Sequence, residues 1–329
     1  MNITQFFLEQ QKNIPNATGE LTLILNDIAT TCKKIAAAVN QGALLGTMGD
    51  AGAMNVQGES QKQLDVIANQ IFLENNLRSG HIAGMASEEM EQQSEIAEEY
   101  RRHGKYLLLF DPLDGSSNVN VNITVGSIFS ILRSHASKPE LKDFLQPGTN
   151  QVCAGYALYG SSTMLVLTTG QGVNGFTLDH ASGDFLLTHP DIRIAEDAQE
   201  FAINMSNQRF WQPPVQRYIA ECVAGKTGVR QKDFNMRWVG SMVAEVHRIL
   251  MRGGVFLYPI DHRNQAQGGR LRLMYEANPM SWIVEQAGGA ASTGYQRILE
   301  LQPQMLHQRV PVILGARNEV ELLASYHQA

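Results

Sequence analysis

Four short apolar segments follow one another between residues 151 and 188, with Gly and Ser residues in the gaps between them. They read QVCAGYALYG, TMLVLTTG, VNGFTL and DFLLTH. Strands at this hairpin-like spacing pair with their neighbours along the chain. The stretch therefore predicts a mainly antiparallel sheet, and any fold assigned to the chain must contain it.

Helical and strand patterns flank this sheet on both sides. Apolar residues recur at helical spacing over residues 20–40, entered through a Thr18-Gly19 turn, and again over residues 64–77. After residue 190 the pattern restarts with strand EFAINM, helices near 212–224 and 241–252, strand VFLYP, helix 276–287 and strand VPVILG. The 329 residues are 43% hydrophobic, enough for a core in each of two mixed α/β domains. We place the boundary between residues 1–192 and 193–329.

Composition argues against several classes of protein. Lys+Arg 26 against Asp+Glu 32 gives a net charge of −6 without a basic run, so we expect no nucleic-acid or membrane partner. The N-terminus lacks signal-peptide features and no apolar stretch approaches a membrane span, which predicts a cytoplasmic protein. Three scattered cysteines without CxxC spacing are expected to be reduced core residues: Cys32, Cys153 and Cys222.

Residues 42–58 read GALLGTMGDAGAMNVQG and contain five glycines. Glycine restrains the backbone so little that we predict a long mobile loop here rather than a regular element. Loops of this length often act as lids.

The strongest chemical signal is FDPLDGSSN, which follows the apolar strand YLLLF. Proline fixes the turn between Asp111 and Asp114, so the two carboxylates can face one point beside the Leu113 carbonyl. Such an all-oxygen set suits Mg²⁺ or Mn²⁺. The next residues, Gly115, Ser116 and Ser117, offer backbone N–H groups and hydroxyls to a phosphate. The alternative is a surface Asp-Pro turn.

Further carboxylates end other predicted elements. Glu88 and Glu89 follow the apolar strand IAGMA, and Glu276 follows LRLMY. Taken alone, the first two could be solvated and the third could be a residue that favours a helix start. Together with the Asp pair, however, they could hold two metals for in-line phosphoryl displacement. Glu91, Glu95, Glu98 and Glu99 are expected to be solvated.

The motifs closely resemble class I fructose-1,6-bisphosphatase over nearly the whole chain. They are the strand ending SEE, then FDPLDGSSN, TVGSIFSI, GSMVAEVHR, FLYP and RLMYEANPMSWIVEQAGG. The resemblance implies a layered α-β-α-β-α sugar phosphatase fold, with an N-terminal regulatory domain and a C-terminal sugar-phosphate domain. It also implies hydrolysis of the 1-phosphate of D-fructose 1,6-bisphosphate to fructose 6-phosphate in gluconeogenesis. Activated water would attack directly, and each subunit of a homotetramer would hold two or more Mg²⁺, with Mn²⁺ possible.

The resemblance also implies roles for individual residues. The metal ligands would be Glu88, Glu89, Asp111, the Leu113 carbonyl, Asp114 and Glu276. Water activation would involve Asp65, Glu89 and Glu59, where the family has an aspartate in place of Glu59. The substrate-binding residues would be Asp114, Gly115, Ser116, Ser117, Asn204, Gly240, Met242, Tyr258, Arg270 and, from a neighbouring subunit, Arg237. On their own, Asp65 and the arginines would be ordinary surface residues.

Three positions depart from the family pattern. Trp238 replaces a tyrosine, Asn207 replaces a tyrosine of the animal enzymes, and Arg270 replaces a lysine. Arg270 keeps the charge and can grip a phosphate with two parallel hydrogen bonds. No cysteine-rich insertion like that of the chloroplast enzymes lies between residues 137 and 153, which argues against thiol control.

A regulatory site is also implied. The family's AMP inhibitor pocket corresponds to Thr18, Gly19, Glu20, Leu21, Thr22, Lys105, Tyr106 and Arg133. A helix start with Thr22, Lys105 and Arg133 can hold a phosphate, although Thr18 could be only a helix cap. Two other functions compete: a bisphosphatase that also accepts sedoheptulose 1,7-bisphosphate, and a nucleotide-sensing module whose catalytic site has decayed.

Overall fold

The structure is a computed structural model that describes residues 1–12, 18–45, 50–54, 60–101, 104–136 and 138–328. Its helices are α1 Ile3–Gln11, α2 Glu20–Gln41, α3 Gln63–Leu77, α4 Leu141–Phe144, α5 Pro213–Ala224, α6 Met242–Arg252, α7 Asn278–Gln286 and α8 Arg317–Gln328. Its strands are β1 Asp50–Met54, β2 Ser60–Lys62, β3 Ile82–Ser87, β4 Ser94–Glu95, β5 Tyr106–Asp114, β6 Val125–Arg133, β7 Gln151–Tyr159, β8 Thr163–Thr168, β9 Val173–Asp179, β10 Asp184–Ile192, β11 Glu200–Ala202, β12 Asn235–Met236, β13 Val255–Tyr258, β14 Leu271–Arg272, β15 Ala290–Ser292, β16 Arg309–Val310 and β17 Val312–Gly315.

Two large sheets organise these elements. The first has eight strands in the order β10-β9-β8-β7-β6-β5-β3-β4, antiparallel throughout except for the parallel β3–β5 pair. The second has five strands in the order β12-β11-β13-β17-β15. The antiparallel succession β7 to β10 confirms the sheet expected from the four apolar segments.

The large sheet is covered on both faces, because its central strands are apolar on both sides. Along β5, Leu108 and Phe110 pack with α1, α2 and α3, whereas Leu107 and Leu109 face the opposite core formed with α6 and α7. Strands buried on both faces show continuous apolar runs. This explains why YLLLF lacks the alternation of a half-exposed strand.

The five-stranded sheet repeats this arrangement. Phe256 of β13 packs toward α6 and α7, while Val255 and Leu257 pack toward α5 and α8. The layers therefore run α1–α3, large sheet, α6–α7, small sheet, α5 and α8. This α-β-α-β-α order confirms the predicted fold class.

Several local expectations can be compared with the structure. Within the predicted 42–58 loop, residues 42–45 form a 3₁₀ turn and β1 pairs antiparallel with β2, whereas residues 46–49 and 55–59 lie outside the described residues. The helix predicted at 276–287 begins at Asn278 and is preceded by a π-helical turn, Leu273–Ala277. The sequence prediction missed α1, α4 and α8. The three cysteines are free and buried as predicted, and the four solvated glutamates are exposed. Across the described ranges, no helix is both long and apolar enough to cross a membrane.

Candidate active site

The DPLD segment ends β5 at the edge of the large sheet. Pairing of β5 with β6 is regular up to Asp111, shifts register, and resumes at Asp114. This irregularity brings both carboxylates to one side, where the π-helical turn adds Glu276. Carboxylate oxygens of the three residues lie within 4.8 Å of one another, and all three side chains are buried.

Burial and mutual repulsion perturb this acidic cluster. Burial raises the pKa of Asp111 well above its usual range, and the charges of Glu88, Asp114 and Glu276 add to the effect. Burial also raises the pKa of Glu276 to about 8 and that of Asp114 to about 6. Like charges this close resist ionisation unless a cation balances them. A buried, oxygen-only donor set of this kind fits a hard divalent cation.

Arg272, which the sequence analysis did not single out, lies beside the cluster. Its Nη1 is 2.8 Å from Glu88 Oε1 and 3.9 Å from Glu276 Oε2, and its side chain is only 7% exposed. Its backbone N–H donates to Glu276 Oε2 at 2.6 Å. The signal in the sequence was a cation four residues before a predicted ligand.

The N-terminus of α6 holds Asp114 in place. The Ser241 hydroxyl donates to Asp114 Oδ2 at 2.8 Å, and the Val243 N–H donates to the same oxygen at 2.9 Å. A helix start is a favourable place for a carboxylate. Gly115 follows with a φ of 76°, where a Cβ would come within 2.6 Å of the Ser241 Cβ. Only glycine fits this approach between the two halves of the chain.

Asp65 lies in the first turn of α3 and is 3% exposed. Its carboxylate accepts the Lys62 N–H at 2.8 Å and a hydrogen bond from the Ser116 side chain. Burial raises the pKa of Asp65 to about 6, the Glu88 charge adds to this, and the two hydrogen bonds oppose it. Glu59 lies outside the described residues.

One cleft of about 610 Å³ connects these groups to the C-terminal half of the chain. Both predicted metal ligands on the SEE strand line it, together with Asp65 and the DPLDGSS turn. On the far side it is lined by Asn204, Trp238, Gly240, Met242, Tyr258 and Arg270. Trp238 lies parallel to Phe256, with ring centroids 6.1 Å apart.

Two residues singled out in the sequence lie away from this cleft. Arg237 is not among the residues that line it and instead approaches Glu200, with Nε 3.7 Å from Oε1. Asn207 lines a small adjoining pocket next to Asn204. The sequence also missed Lys62 and Ser241, because a backbone N–H donor and a helix cap carry no distinctive motif.

A second cleft, of about 460 Å³, opens at the start of α2. It is lined by all eight residues of the expected nucleotide site: Thr18, Gly19, Glu20, Leu21, Thr22, Lys105, Tyr106 and Arg133. Lys105 Nζ lies 2.9 Å from Glu20 Oε1, and this hydrogen bond holds the pKa of Glu20 below its usual value. The Arg133 guanidinium lies over the Tyr106 ring, 5.4 Å from its centroid.

The chain matches two protein-family profiles, fructose-1-6-bisphosphatase N-terminal domain over residues 1–190 and C-terminal domain over residues 194–328. The chain belongs to the fructose-1,6-bisphosphatase family. It is similar to fructose-1,6-bisphosphatase class 1 of Halorhodospira halophila, with 60% identity over 331 residues, covering 99% of this chain and 98% of that protein. For the class 1 protein of Methylobacillus flagellatus the identity is 61% over 327 residues, again covering 99% and 98%.

Solved structures of a bisphosphatase from Leishmania major share the fold. The holo form superposes with a TM-score of 0.93 at 40% identity, covering 100% of this chain and 99% of that one. The apo form gives 0.88 at 38% identity with the same coverage. The resemblance drawn from the sequence motifs is therefore confirmed, and family membership makes the chain a phosphoric monoester hydrolase.

Proposed function

We propose that the chain hydrolyses the 1-phosphate of D-fructose 1,6-bisphosphate to give fructose 6-phosphate and phosphate, a reaction of gluconeogenesis. One observation carries the proposal. The buried cluster of Asp111, Asp114 and Glu276 shares a single cleft with phosphate-binding donors on one side and with Tyr258 and Arg270 on the other. A cleft with an anion site at each end suits a sugar with a phosphate at each end.

The acidic end supports a divalent-metal-dependent reaction. Two or more Mg²⁺ per subunit, or Mn²⁺, would stabilise charge on the phosphoryl oxygens and make the attacking water more acidic. The proposed ligands of these ions are Glu88, Glu89, Asp111, the Leu113 carbonyl, Asp114 and Glu276. Gly115, Ser116 and Ser117 donate hydrogen bonds to the phosphate being removed.

Asp65 is the proposed acceptor of the proton of the attacking water. Its pKa of about 6 leaves it ionised at neutral pH, yet basic enough to take a proton. The Lys62 N–H and Ser116 hydroxyl fix the direction of its carboxylate. We also assign Glu89 and Glu59 to this step. Attack is direct, without a covalent enzyme intermediate.

The opposite end supports recognition of the 6-phosphate. Asn204, Tyr258 and Arg270 line the cleft there, and Gly240 and Met242 border the sugar. The planar guanidinium of Arg270 can donate two parallel hydrogen bonds to the 6-phosphate. We propose that residues 1–192 carry the metal and 1-phosphate chemistry and that residues 193–329 bind the sugar phosphate.

A cytoplasmic location stays a prediction.

Two measurements test the reaction. ³¹P NMR of the products should show inorganic phosphate and a single ester, the 6-phosphate, and formation of the 1-phosphate ester would contradict the assignment of the two ends. A substrate made chiral at the 1-phosphorus should react with inversion in a single direct displacement. Retention would point to a covalent intermediate.

AMP is the proposed inhibitor, bound at the second cleft. Its phosphate would meet the N–H groups at the start of α2, Thr22, Lys105 and Arg133, and its nucleoside would meet Tyr106. Because these residues lie outside the metal cluster, inhibition should be allosteric. Inhibition that is purely competitive with the sugar bisphosphate would contradict this.

A homotetramer in which Arg237 reaches a neighbouring subunit's active site is also proposed. The position of Arg237 outside its own cleft, half-exposed beside Glu200, supports this. Co-expression of inactive Arg237→Ala and Asp114→Ala chains tests it, since mixed oligomers should contain sites with both native residues. Absence of restored activity in proven mixed oligomers would contradict sharing between subunits.

A further inference from the structure

A buried chain of side chains runs beneath the DPLD turn. The Ser127 hydroxyl on β6 donates to the Pro112 carbonyl at 2.7 Å, and lies 2.8 Å from the Tyr159 hydroxyl on β7. The Cys32 thiol on α2 lies beside the Tyr159 hydroxyl, and this neighbour opposes the rise in the Cys32 pKa that burial causes. Relative exposures are 0% for Ser127, 5% for Tyr159 and 0% for Cys32, so water does not compete with these contacts.

The number of available protons fixes the direction of this chain. A carbonyl can only accept, so the single Ser127 proton is committed to Pro112, and the Tyr159 hydroxyl must donate to Ser127. The Tyr159 hydroxyl then has no further proton to donate to the Cys32 thiol beside it. Burial raises the pKa of Cys32 to about 12, which keeps that thiol protonated. Both hydrogen bonds thus point from Tyr159 toward the turn.

The peptide that receives this chain lies between the two aspartates. Its carbonyl, from Pro112, is held by Ser127, and its N–H, from Leu113, donates to Asp111 Oδ1 at 3.0 Å. Both faces of one peptide unit are therefore fixed. Rotation of this unit would redirect the Asp111 carboxylate and the following Leu113 carbonyl together.

The other end of this series of side chains, Cys32, lies on α2, the helix that borders the second cleft. Leu25, which lines that cleft, lies seven residues before Cys32 and therefore on the same face of α2, about 10 Å along its axis. Tyr159 similarly ends β7, whose first two residues line the same cleft.

We propose that Tyr159 and Ser127 are positioning residues, which set the Asp111 and Leu113 oxygens for a divalent cation and anchor this geometry on α2 through Cys32. The inference rests on the proposed function, because it presumes that these oxygens bind a metal. Outer hydrogen bonds to metal-binding groups typically change affinity by about 10-fold or more when removed.

Mn²⁺ binding to the full-length protein tests the proposal without reference to turnover. The EPR signal of free Mn²⁺ measures how much of the ion is bound. Tyr159→Phe and Ser127→Ala should each weaken binding about 10-fold. Tyr156→Phe is the matched control: it removes a hydroxyl from the same strand and breaks a 2.9 Å contact to His247, but its side chain lies in the opposite core. Its affinity for Mn²⁺ should match that of the wild type.

The anchor on α2 has its own matched pair. Cys32→Ala should weaken Mn²⁺ binding, whereas Cys153→Ala should not, because Cys153 is equally buried but does not belong to the series of side chains that leads to Pro112. Circular dichroism and thermal unfolding identify any variant that fails to fold. If either Tyr159→Phe or Ser127→Ala does not fold, the other still tests the proposal. Wild-type affinity in the folded hydroxyl variants would overturn the positioning role. Equal effects of the two cysteine variants would overturn the anchor. Absence of Mn²⁺ binding in the wild type would instead overturn the proposed metal site itself, and this inference with it.

Discussion

Replacing Asp65 by Asn should change activity and stability in opposite directions. The side chain is 3% exposed, and burial raises its pKa from 3.8 to about 6. Asn keeps an oxygen that can accept the Lys62 N–H but carries no charge to desolvate. The variant should therefore lose turnover by about 10² to 10⁴-fold, as expected for loss of a general base, and become more stable.

The stability gain follows from the pKa difference, and its sign depends on pH. A carboxyl whose pKa is raised by folding destabilises the folded state once it is ionised; the effect is absent below the unfolded pKa and complete above the folded one. A change from 3.8 to about 6 corresponds to about 3 kcal/mol at pH 8 and about half of that at pH 5. The advantage of Asp65→Asn should thus grow with pH.

Urea unfolding in EDTA at pH 5 and pH 8 measures this effect, beside phosphate release in Mg²⁺. Asp261→Asn provides the matched control, because Asp261 is also buried but accepts the N–H groups of Arg263 and Asn264 and pairs with the Arg263 guanidinium. That variant should gain no stability. An Asp65→Asn protein that is less stable than wild type at both pH values, or that retains near-normal turnover, would refute the reasoning.

Three further outcomes are expected. Asp114→Ala and Glu88→Ala should each lose turnover by orders of magnitude while circular dichroism stays native, and near-normal Mg²⁺-dependent turnover in either would contradict the metal assignment. Lys105→Ala should raise the AMP concentration needed for half-inhibition with little change in uninhibited turnover, whereas exposed Lys138→Ala should change neither; an unchanged inhibition constant would exclude this pocket. Mg²⁺ should raise the melting temperature more at pH 8 than at pH 5, because protons compete for Glu276, whose pKa is about 8; an equal or reversed effect would contradict the cluster's role.

The sequence predicted those parts of the fold that periodicity determines. Apolar spacing located α2 and α3 to within about a residue, and the hairpin spacing of four segments located β7 to β10. It failed where glycine leaves more than one backbone conformation open. The glycines of the 42–58 segment suggested a loop, yet β1 pairs with β2 there, because glycine permits an extended strand as readily as a turn.

The candidate site was predictable where its proposed ligands follow one another along the chain. Asp111 and Asp114 share one turn, and a proline between them fixes its shape, so their convergence could be read from residues alone. The role of Arg272 could not, since its contact with Glu88 joins residues far apart in sequence. The same holds for Ser241, which meets Asp114 only because α6 begins against the end of β5. The contacts that run from Cys32 to Pro112 likewise join four elements, α2, β7, β6 and β5.

Metal-dependent hydrolysis of fructose 1,6-bisphosphate is the proposed function of this chain. The most direct measurement is phosphate release by the purified protein from a panel of sugar and inositol phosphates, with Mg²⁺ and with EDTA. Rapid release is expected from fructose 1,6-bisphosphate in Mg²⁺, with little release from inositol monophosphate or fructose 6-phosphate, and none in EDTA. Comparable kcat/KM for sedoheptulose 1,7-bisphosphate would mark a broader bisphosphatase using the same residues. AMP binding without phosphate release from any substrate in Mg²⁺ would contradict the account.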